Sequence, residues 1–582
     1  MNIRYAFQIA SLAGMMLAMA ALDSPAGSAP PVTVDQGKEW TEAARKEFYK
    51  GDQGSRLIPL RWIAALKQPN GEPFMAASLS RYGYLPNEAS TPPGLPVGFH
   101  AASENGVETL GMTCSACHTR QIEAGGVSYR IDGGPAIADF QSLVADLDTA
   151  VNRVLTDRAA FADFAQAVLG PSPPPDKEAA LREAVQAWHT PYHTLMDRAL
   201  PKDKPWGPGR LDALGMIFNR LTGLDIGPPP SHMIPENIKL ADAPVRYPFL
   251  WNAWRQDFTQ WPGVAENGDK IVALARNLGE VYGVFGVFHP KKDESQLLGF
   301  DYLDGNSANF PGLDTLEDLI TKIGPPKWPW AVDQKLAALG EAIYARKTEQ
   351  GGCADCHGIK PGIPRLLNPD TWATPIQDVG TDSREYDRLA WQVKTGVLEG
   401  ARIPFVTQQL NPIDRAGSVE KIAVTGAILQ HYLAAVLYAK VPDEKVRDKL
   451  EQAATTVLKP QIDALSGAFK MQAADRPPGF AYESRVLEGI WAAAPYLHNG
   501  SVPTLADLLK PAAERAKAFK IGPAYDPVNV GLAVDQSKFN YPPLETTPCS
   551  ERNSGNSRCG HEFGTKLSPD EKKALLEYLK IL

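Results

Sequence analysis

The sequence predicts a mainly α-helical protein of two domains with long loops, and three observations lead to this. A Cys-x-x-Cys-His run occurs twice, at residues 114–118 and 353–357. Apolar residues recur at helical spacing on both sides of the second run. Fifty prolines and 49 glycines among 582 residues indicate long connections between helices. The chain is long enough for two domains with cores of their own.

Both runs predict covalently attached haem c. The two thiols of a run can form thioethers with the porphyrin, and the histidine that follows can bind the iron as its proximal ligand. The residues are Cys114, Cys117 and His118 in the first run and Cys353, Cys356 and His357 in the second. A zinc half-site or a thioredoxin-like pair would also contain Cys-x-x-Cys. A zinc site would cluster its two pairs, and a redox pair has no need of the histidine, so we expect two haems.

The elements around the second run predict a class I cytochrome c domain. A helix is expected before the run, with Gly340 midway, and Ser568-Pro569-Asp570-Glu571 is a helix start with a capping box. In class I cytochromes c these two helices cross closely, and Gly340 would let Tyr578 approach. The apolar positions of the two stripes are Val332, Leu336, Leu339, Ile343, Leu575, Leu576, Leu579 and Leu582.

The rest of the chain is assigned by its composition. Residues 1–29 predict an export signal, with Arg4, an apolar run over 6–22 and an Ala-Met-Ala motif at 18–20; an uncleaved anchor is the alternative. Residues 30–324 are expected to form an N-terminal haem domain with a helical insertion at about 139–219 and an aromatic-rich one at 240–263. Residues 325–582, starting at a Pro/Trp-rich segment, form the C-terminal haem domain. The mature protein should be periplasmic or secreted, without a membrane span.

Charge and the remaining cysteines add two expectations. The net charge of -8, without a basic run, argues against nucleic-acid binding. Cys549 and Cys559 flank a short polar loop, and an oxidising compartment favours a disulfide between them.

Several segments resemble the bacterial di-haem cytochrome c peroxidase superfamily, and most closely its di-haem rubber oxygenase branch. The superfamily segments are 489–491 and 494–501, and the branch segments are 54–59, 113–119, 130–134, 247–251 and 556–561. The peroxidases carry a distal histidine where this chain has Gly134, and a methionine ligand where it has Ala512. These departures disfavour ordinary peroxidase activity. The resemblance implies one haem open to a diatomic ligand and one closed by two histidines, and related proteins also hold a calcium ion.

The second haem has three candidates for its sixth ligand. His561 is favoured because it lies just before the last helix, beside the expected disulfide; His498 is the alternative, and Met471 is a third. His498 precedes Asn-Gly, so it could equally be a turn residue. His431 is expected to pack on a helix, and His100 to be a surface or second-shell residue.

The first haem has no evident sixth ligand in the sequence. We therefore expect an open, apolar distal side, walled by an aromatic stretch. Its members are Phe249, Trp251, Trp254, Phe258 and Trp261. These aromatics could instead fill the core around the porphyrin, and Trp251 could be an electron relay between the haems.

Three functions follow from this. The leading hypothesis is an O2-dependent oxygenase that cleaves an apolar alkene, a small molecule or a polymer such as polyisoprene, at the N-terminal haem, with electrons stored on the other haem. The alternatives are a peroxidase or peroxide-dependent protein-modifying enzyme that uses H2O2 and a redox partner protein, and an electron-transfer cytochrome without enzymatic activity.

Overall fold

The computed structural model describes residues 29–104, 106–296, 298–365, 368–403, 407–437, 480–537, 539 and 541–582. The predicted export signal, apart from its last residue, and Met471 lie outside these ranges. Within them, we find no helix with the length and apolar character needed to cross a membrane.

The α-helices are distributed along the whole described chain. They are α1 (Glu42–Phe48), α2 (Leu60–Ala65), α3 (Cys114–Cys117), α4 (Phe140–Thr156), α5 (Arg158–Leu169), α6 (Pro175–Ala199), α7 (Ala213–Arg220), α8 (Lys270–Gly283), α9 (Phe310–Ile320), α10 (Gln334–Tyr344), α11 (Ala354–His357), α12 (Ala416–Leu437), α13 (Leu505–Leu508) and α14 (Pro569–Leu579). Short 3-10 turns lie between them, and α7 continues into a π-helical turn over Leu221–Asp225.

Short β-strands are as widespread as the helices. They are β1 (Val32–Thr33), β2 (Ile58–Pro59), β3 (Phe99–Glu104), β4 (Val107–Met112), β5 (Thr119–Ala124), β6 (Val127–Asp132), β7 (Arg210–Leu211), β8 (Val245–Arg246), β9 (Phe258–Thr259), β10 (Ala265–Glu266), β11 (Lys291–Lys292), β12 (Phe300–Asp301), β13 (Ile376–Gln377), β14 (Gln392–Lys394), β15 (Ile413–Arg415), β16 (Tyr482–Glu483), β17 (Ala518–Phe519), β18 (Tyr525–Asp526), β19 (Gly531–Leu532) and β20 (Leu544–Glu545). The prediction of a mainly α protein is therefore wrong: the architecture mixes helices and strands.

Two hairpins account for much of this difference, and they hold the first Cys-x-x-Cys-His run. β3 and β4 pair antiparallel before α3, and β5 and β6 pair antiparallel after it. Gly125 and Gly126 form the turn between β5 and β6, both with positive φ, as tight hairpin turns require. β1 adds a parallel strand to β6. The run thus sits between two small sheets rather than in a helical bundle.

The predicted helical insertion is present. α4 to α7 lie within residues 140–220, and the helical structure is interrupted at 170–174, where the prolines and Gly170 do not continue a helix. Asp139 caps α4 and Asp157 caps α5 through their carboxylates.

The crossing of α10 and α14 agrees with the class I cytochrome c expectation. A Cβ atom on Gly340 would lie 2.0 Å from the carbonyl oxygen of Ala574 and 2.7 Å from Cβ of Tyr578, so only glycine allows this approach. The rings of Tyr344 and Tyr578 lie 5.4 Å apart. The capping box at Ser568 forms as predicted.

One hydrophobic core joins the two halves of the chain. It packs Trp40 and Phe48 from the first half with Trp491 and Leu575 from the second. The amide of Glu123 in β5 also donates to the carbonyl of Pro523 at 2.7 Å. Residues on both sides of the boundary expected near residue 325 therefore share this core.

Candidate haem sites

In the first Cys-x-x-Cys-His run, one ring nitrogen of the histidine makes a hydrogen bond to the backbone. Nδ1 of His118 donates to the carbonyl oxygen of Pro248 at 2.8 Å, which leaves Nε2 for a metal. Burial lowers the pKa of His118 to about 4, so the ring stays neutral, the form that binds metals. Histidines that bind metals typically donate their other ring N–H to a carbonyl oxygen, as His118 does to Pro248.

A cavity adjoins this run. Cys114 and Cys117 line it with their thiols unbridged, as thioether attachment requires. Its lining residues are Gln53, Met112, Thr113, Cys114, Cys117, His118, Pro248, Phe249, Leu250, Ala253, Thr259, Gln260, Trp261, Arg276, Asn277, Glu280, Val284, Ile320, Glu483 and Arg485.

The second run is built in the same way. Nδ1 of His357 donates to the carbonyl oxygen of Arg485 at 2.7 Å, and burial lowers the pKa of the ring. Cys353 and Cys356 line the adjoining cavity, and both thiols are unbridged. Leucines of α13 and α14 contribute to its apolar surface. Each cavity thus brings two thiols and one imidazole together on its own wall, which fits haem c.

His561 lies across the second cavity from His357. The centres of the two rings are 6.0 Å apart. Two imidazole nitrogens that bind one metal at about 2.0–2.1 Å each leave their ring centres about 6 Å apart. The observed separation therefore accommodates one metal atom between the rings.

The backbone around His561 is held firmly. Its amide donates to the carbonyl of Val379 at 2.8 Å. The buried guanidinium of Arg515 donates to the carbonyl oxygens of Arg558, Gly560 and His561, at 2.7, 2.7 and 3.1 Å. Cys549 and Cys559 form the predicted disulfide two residues before it. These contacts limit how far the imidazole can move.

The other histidine candidates are placed differently. His498 also lines the second cavity, but its ring stacks on Tyr482 with centres 3.9 Å apart. Burial lowers the pKa of His498 to about 3. His431 lies on α12 and stacks on Phe310, as expected of a packing residue. His100 is buried in β3, 3.5 Å from Asp52, so the expectation of a surface position is wrong.

A shared wall separates the two cavities. Phe249, Trp261, Glu483 and Arg485 line both of them. The guanidinium of Arg485 lies 4.3 Å from the ring centre of Phe249. The carbonyl of Pro248, the residue before Phe249, accepts a hydrogen bond from His118, and the carbonyl of Arg485 accepts one from His357. The contact between Phe249 and Arg485 therefore connects the two histidines. Sequence reasoning missed Arg485, which lies on an ordinary polar stretch.

The predicted aromatic wall is only partly present. Phe249 and Trp261 line the first cavity, whereas Trp251, Trp254 and Phe258 are not among its lining residues. Trp251 is fully buried, stacks on Phe249 at 4.7 Å and donates from its indole to the carbonyl of Glu488. It lies beside the shared wall rather than on a cavity surface.

Polar side chains of α8 replace part of the expected apolar surface. Arg276, Asn277 and Glu280 line the first cavity, together with Gln260. Burial raises the pKa of Glu280, which favours its protonated form. Arg276 pairs with Glu317 at 2.7 Å. The sequence could have indicated this polar surface, because Arg276, Asn277 and Glu280 lie close together on one side of a largely apolar helix.

Two cavities, each beside a Cys-x-x-Cys-His run, have the attachment thiols and the imidazole that a c-type cytochrome needs. A family model described as RoxA-like, cytochrome c-like matches residues 481–520, which supports a link to RoxA-like cytochromes and suggests a cytochrome-type oxidoreductase. The matched segment contains Glu483 and Arg485 of the shared wall.

Two relatives come from Sinorhizobium fredii (strain NBRC 101917 / NGR234). The protein named uncharacterized protein y4iJ is 29% identical over 605 residues, which cover 94% of this chain and 92% of the relative. Uncharacterized protein y4iM is 28% identical over 352 residues, covering 57% of this chain and 63% of the relative. Neither name states an activity.

Proposed function

We propose that the protein is a periplasmic or secreted oxidoreductase with two haem c groups, which uses O2 to cleave an apolar alkene-type substrate beside His118. His357 and His561 would hold the second haem, which would supply electron storage and transfer. The RoxA-like match and the resemblance to di-haem rubber oxygenases support this proposal.

The difference between the two cavities carries the proposal. Across the second cavity, an imidazole faces His357 at 6.0 Å. Among the lining residues of the first cavity, His118 is the only histidine. Met112 is the only methionine among them, and we propose that its thioether does not bind the iron. A haem with one free face can bind and activate O2, whereas a haem closed by two histidines transfers electrons.

The chain's own residues have distinct tasks in this proposal. The carbonyl of Pro248 orients His118 and keeps Nε2 free. Phe249, Trp261 and Leu250 offer apolar surface that can hold an alkene and exclude water. Arg485, against the ring of Phe249, keeps the two sites in contact across one wall.

Oxygen uptake by the haem-loaded protein tests the proposal. We expect uptake that depends on an added alkene, such as squalene, with one O2 consumed per carbon–carbon double bond cleaved into two carbonyl groups. Carbon monoxide should stop it, because CO occupies the open face. Resting-state EPR should show one low-spin haem and one haem without a strong sixth ligand. Two low-spin haems without turnover would instead indicate an electron carrier.

Peroxide reduction is a second candidate, and Glu280 favours it. Burial raises the pKa of Glu280, and its carboxyl lies on the wall of the first cavity. In its protonated form it could donate a proton to the leaving oxygen of a peroxide, the acid role that ordinary peroxidases need and that the sequence did not reveal.

Peroxide turnover with a reduced cytochrome as electron donor tests this role. Glu280→Gln should lower the rate about 10²- to 10⁴-fold if the carboxyl donates the proton. Asp225→Asn is the matched control, because Asp225 is a buried carboxyl with a raised pKa that does not line the cavity. Equal rates in both variants, or peroxide turnover absent in the wild type, would refute the peroxidase role.

A further inference from the structure

Two histidines and one aspartate form a cluster in the helical insertion, away from both cavities. His189 and His193 are four residues apart on α6, so they share one face of the helix. Asp148 lies opposite them on α4. Its carboxylate oxygens are 3.0 Å from Nε2 of His189 and 2.9 Å from Nδ1 of His193. One ligand atom from each residue lies within 4.8 Å of the others.

The buried part of the cluster lacks hydrogen bonds of good geometry. The side chain of His189 is 5% exposed. Neither its Nε2 nor Oδ1 of Asp148 makes such a bond, although the two atoms are neighbours. A buried polar pair in this state costs free energy, and native proteins usually satisfy it with water or an ion. The pair therefore points to a ligand that completes it.

We infer that Asp148, His189 and His193 bind a divalent transition metal ion of the Zn²⁺ class. Two imidazoles and one carboxylate are a frequent zinc ligand set, and a water or another ligand fills the fourth position. Ligand atoms around such an ion lie about 3 to 4 Å apart, so the set needs only a small adjustment. His193, whose side chain is 52% exposed, has room to make it.

The ion would join α4 to α6. A hydrogen bond also ties these helices: the hydroxyl of Tyr192 on α6 donates to the carbonyl of Val144 on α4 at 2.9 Å. Tyr192 lies between the two histidines and also stacks on Phe285. The metal therefore stabilises the packing of the helical insertion, and its exposed side leaves one coordination position to solvent.

Calorimetric titration of ZnCl2 into the full-length, haem-loaded protein, after treatment with a chelator and desalting, tests the site. The four thiols of the haem motifs do not compete, because they are consumed by attachment. We expect about one equivalent bound by the wild type and an affinity at least about tenfold lower in Asp148→Asn and His193→Ala. Glu183→Ala removes an exposed carboxylate from the same helix and should bind like the wild type.

A thermal scan adds a second readout that is independent of redox activity. Zn²⁺ should raise the Tm of the wild type and of Glu183→Ala, and leave that of Asp148→Asn unchanged. His193→Ala changes an exposed side chain, so it should fold even where a change at His189 fails. Absence of zinc binding in the wild type, or equal binding in Asp148→Asn and His193→Ala, would overturn the inference and leave a metal-free His-Asp-His network.

Discussion

Removal of the His561 imidazole should turn the closed haem into an open one. In His561→Ala, the ring that faces His357 at 6.0 Å is lost, and His498 is then the one remaining described histidine on the cavity wall besides His357. The loop is fixed by Arg515 and the disulfide, and His498 is held by its stack on Tyr482. We therefore expect CO binding to rise from about one to about two equivalents per reduced protein, since each open haem binds one diatomic ligand.

The reduction potential of the same haem should rise as well. Imidazole stabilises ferric iron, and a tenfold change in the relative affinity of the two oxidation states for the sixth ligand corresponds to about 59 mV. An upward shift of at least about that size is expected in a potentiometric titration. His498→Gln is the matched control and should keep one open haem. If His498→Gln gains the second CO while His561→Ala does not, the ligand assignment is refuted.

Three further predictions concern the scaffold. Replacing Cys549 and Cys559 by Ala should lower the free energy of unfolding by about 2–3 kcal/mol in urea titration, because a short closed loop is released. Gly340→Ala should cost about 1–3 kcal/mol in the same assay, since its Cβ meets the α14 backbone, whereas exposed Glu341→Ala should stay within about 0.5 kcal/mol. Burial raises the pKa of Asp225 from 3.8 to about 7, so the wild type loses stability as pH rises through this range. Asp225→Asn should remove that loss, at most about 4 kcal/mol, and a flat difference between pH 4 and 8 would contradict it.

The haem motifs and their local frame were readable from the sequence. Each run of Cys-x-x-Cys-His is a contiguous chemical unit, and the structure places both beside cavities. The cap at Ser568 and the helices of residues 140–220 were predicted from capping residues and helical spacing, because these patterns are local. The crossing at Gly340 was expected from the arrangement of class I cytochromes c. The disulfide also followed from two cysteines flanking a short loop.

The strands escaped prediction because most are two residues long and depend on partners elsewhere in the chain. β13 pairs with β16 across more than a hundred residues, and no local pattern indicates such a pair. The hairpins around the first motif were readable in principle, since β5 and β6 are joined by Gly125-Gly126.

The amino-acid sequence by itself determined that two thiol pairs are each followed by an imidazole, since covalent attachment depends on neighbouring residues. Only the tertiary structure decided what surrounds each imidazole. It placed His561 opposite His357, Glu280 on the wall beside His118, and Phe249 against Arg485 between the two cavities. These contacts join residues more than a hundred positions apart, and their geometry depends on how the shared core packs both halves of the chain.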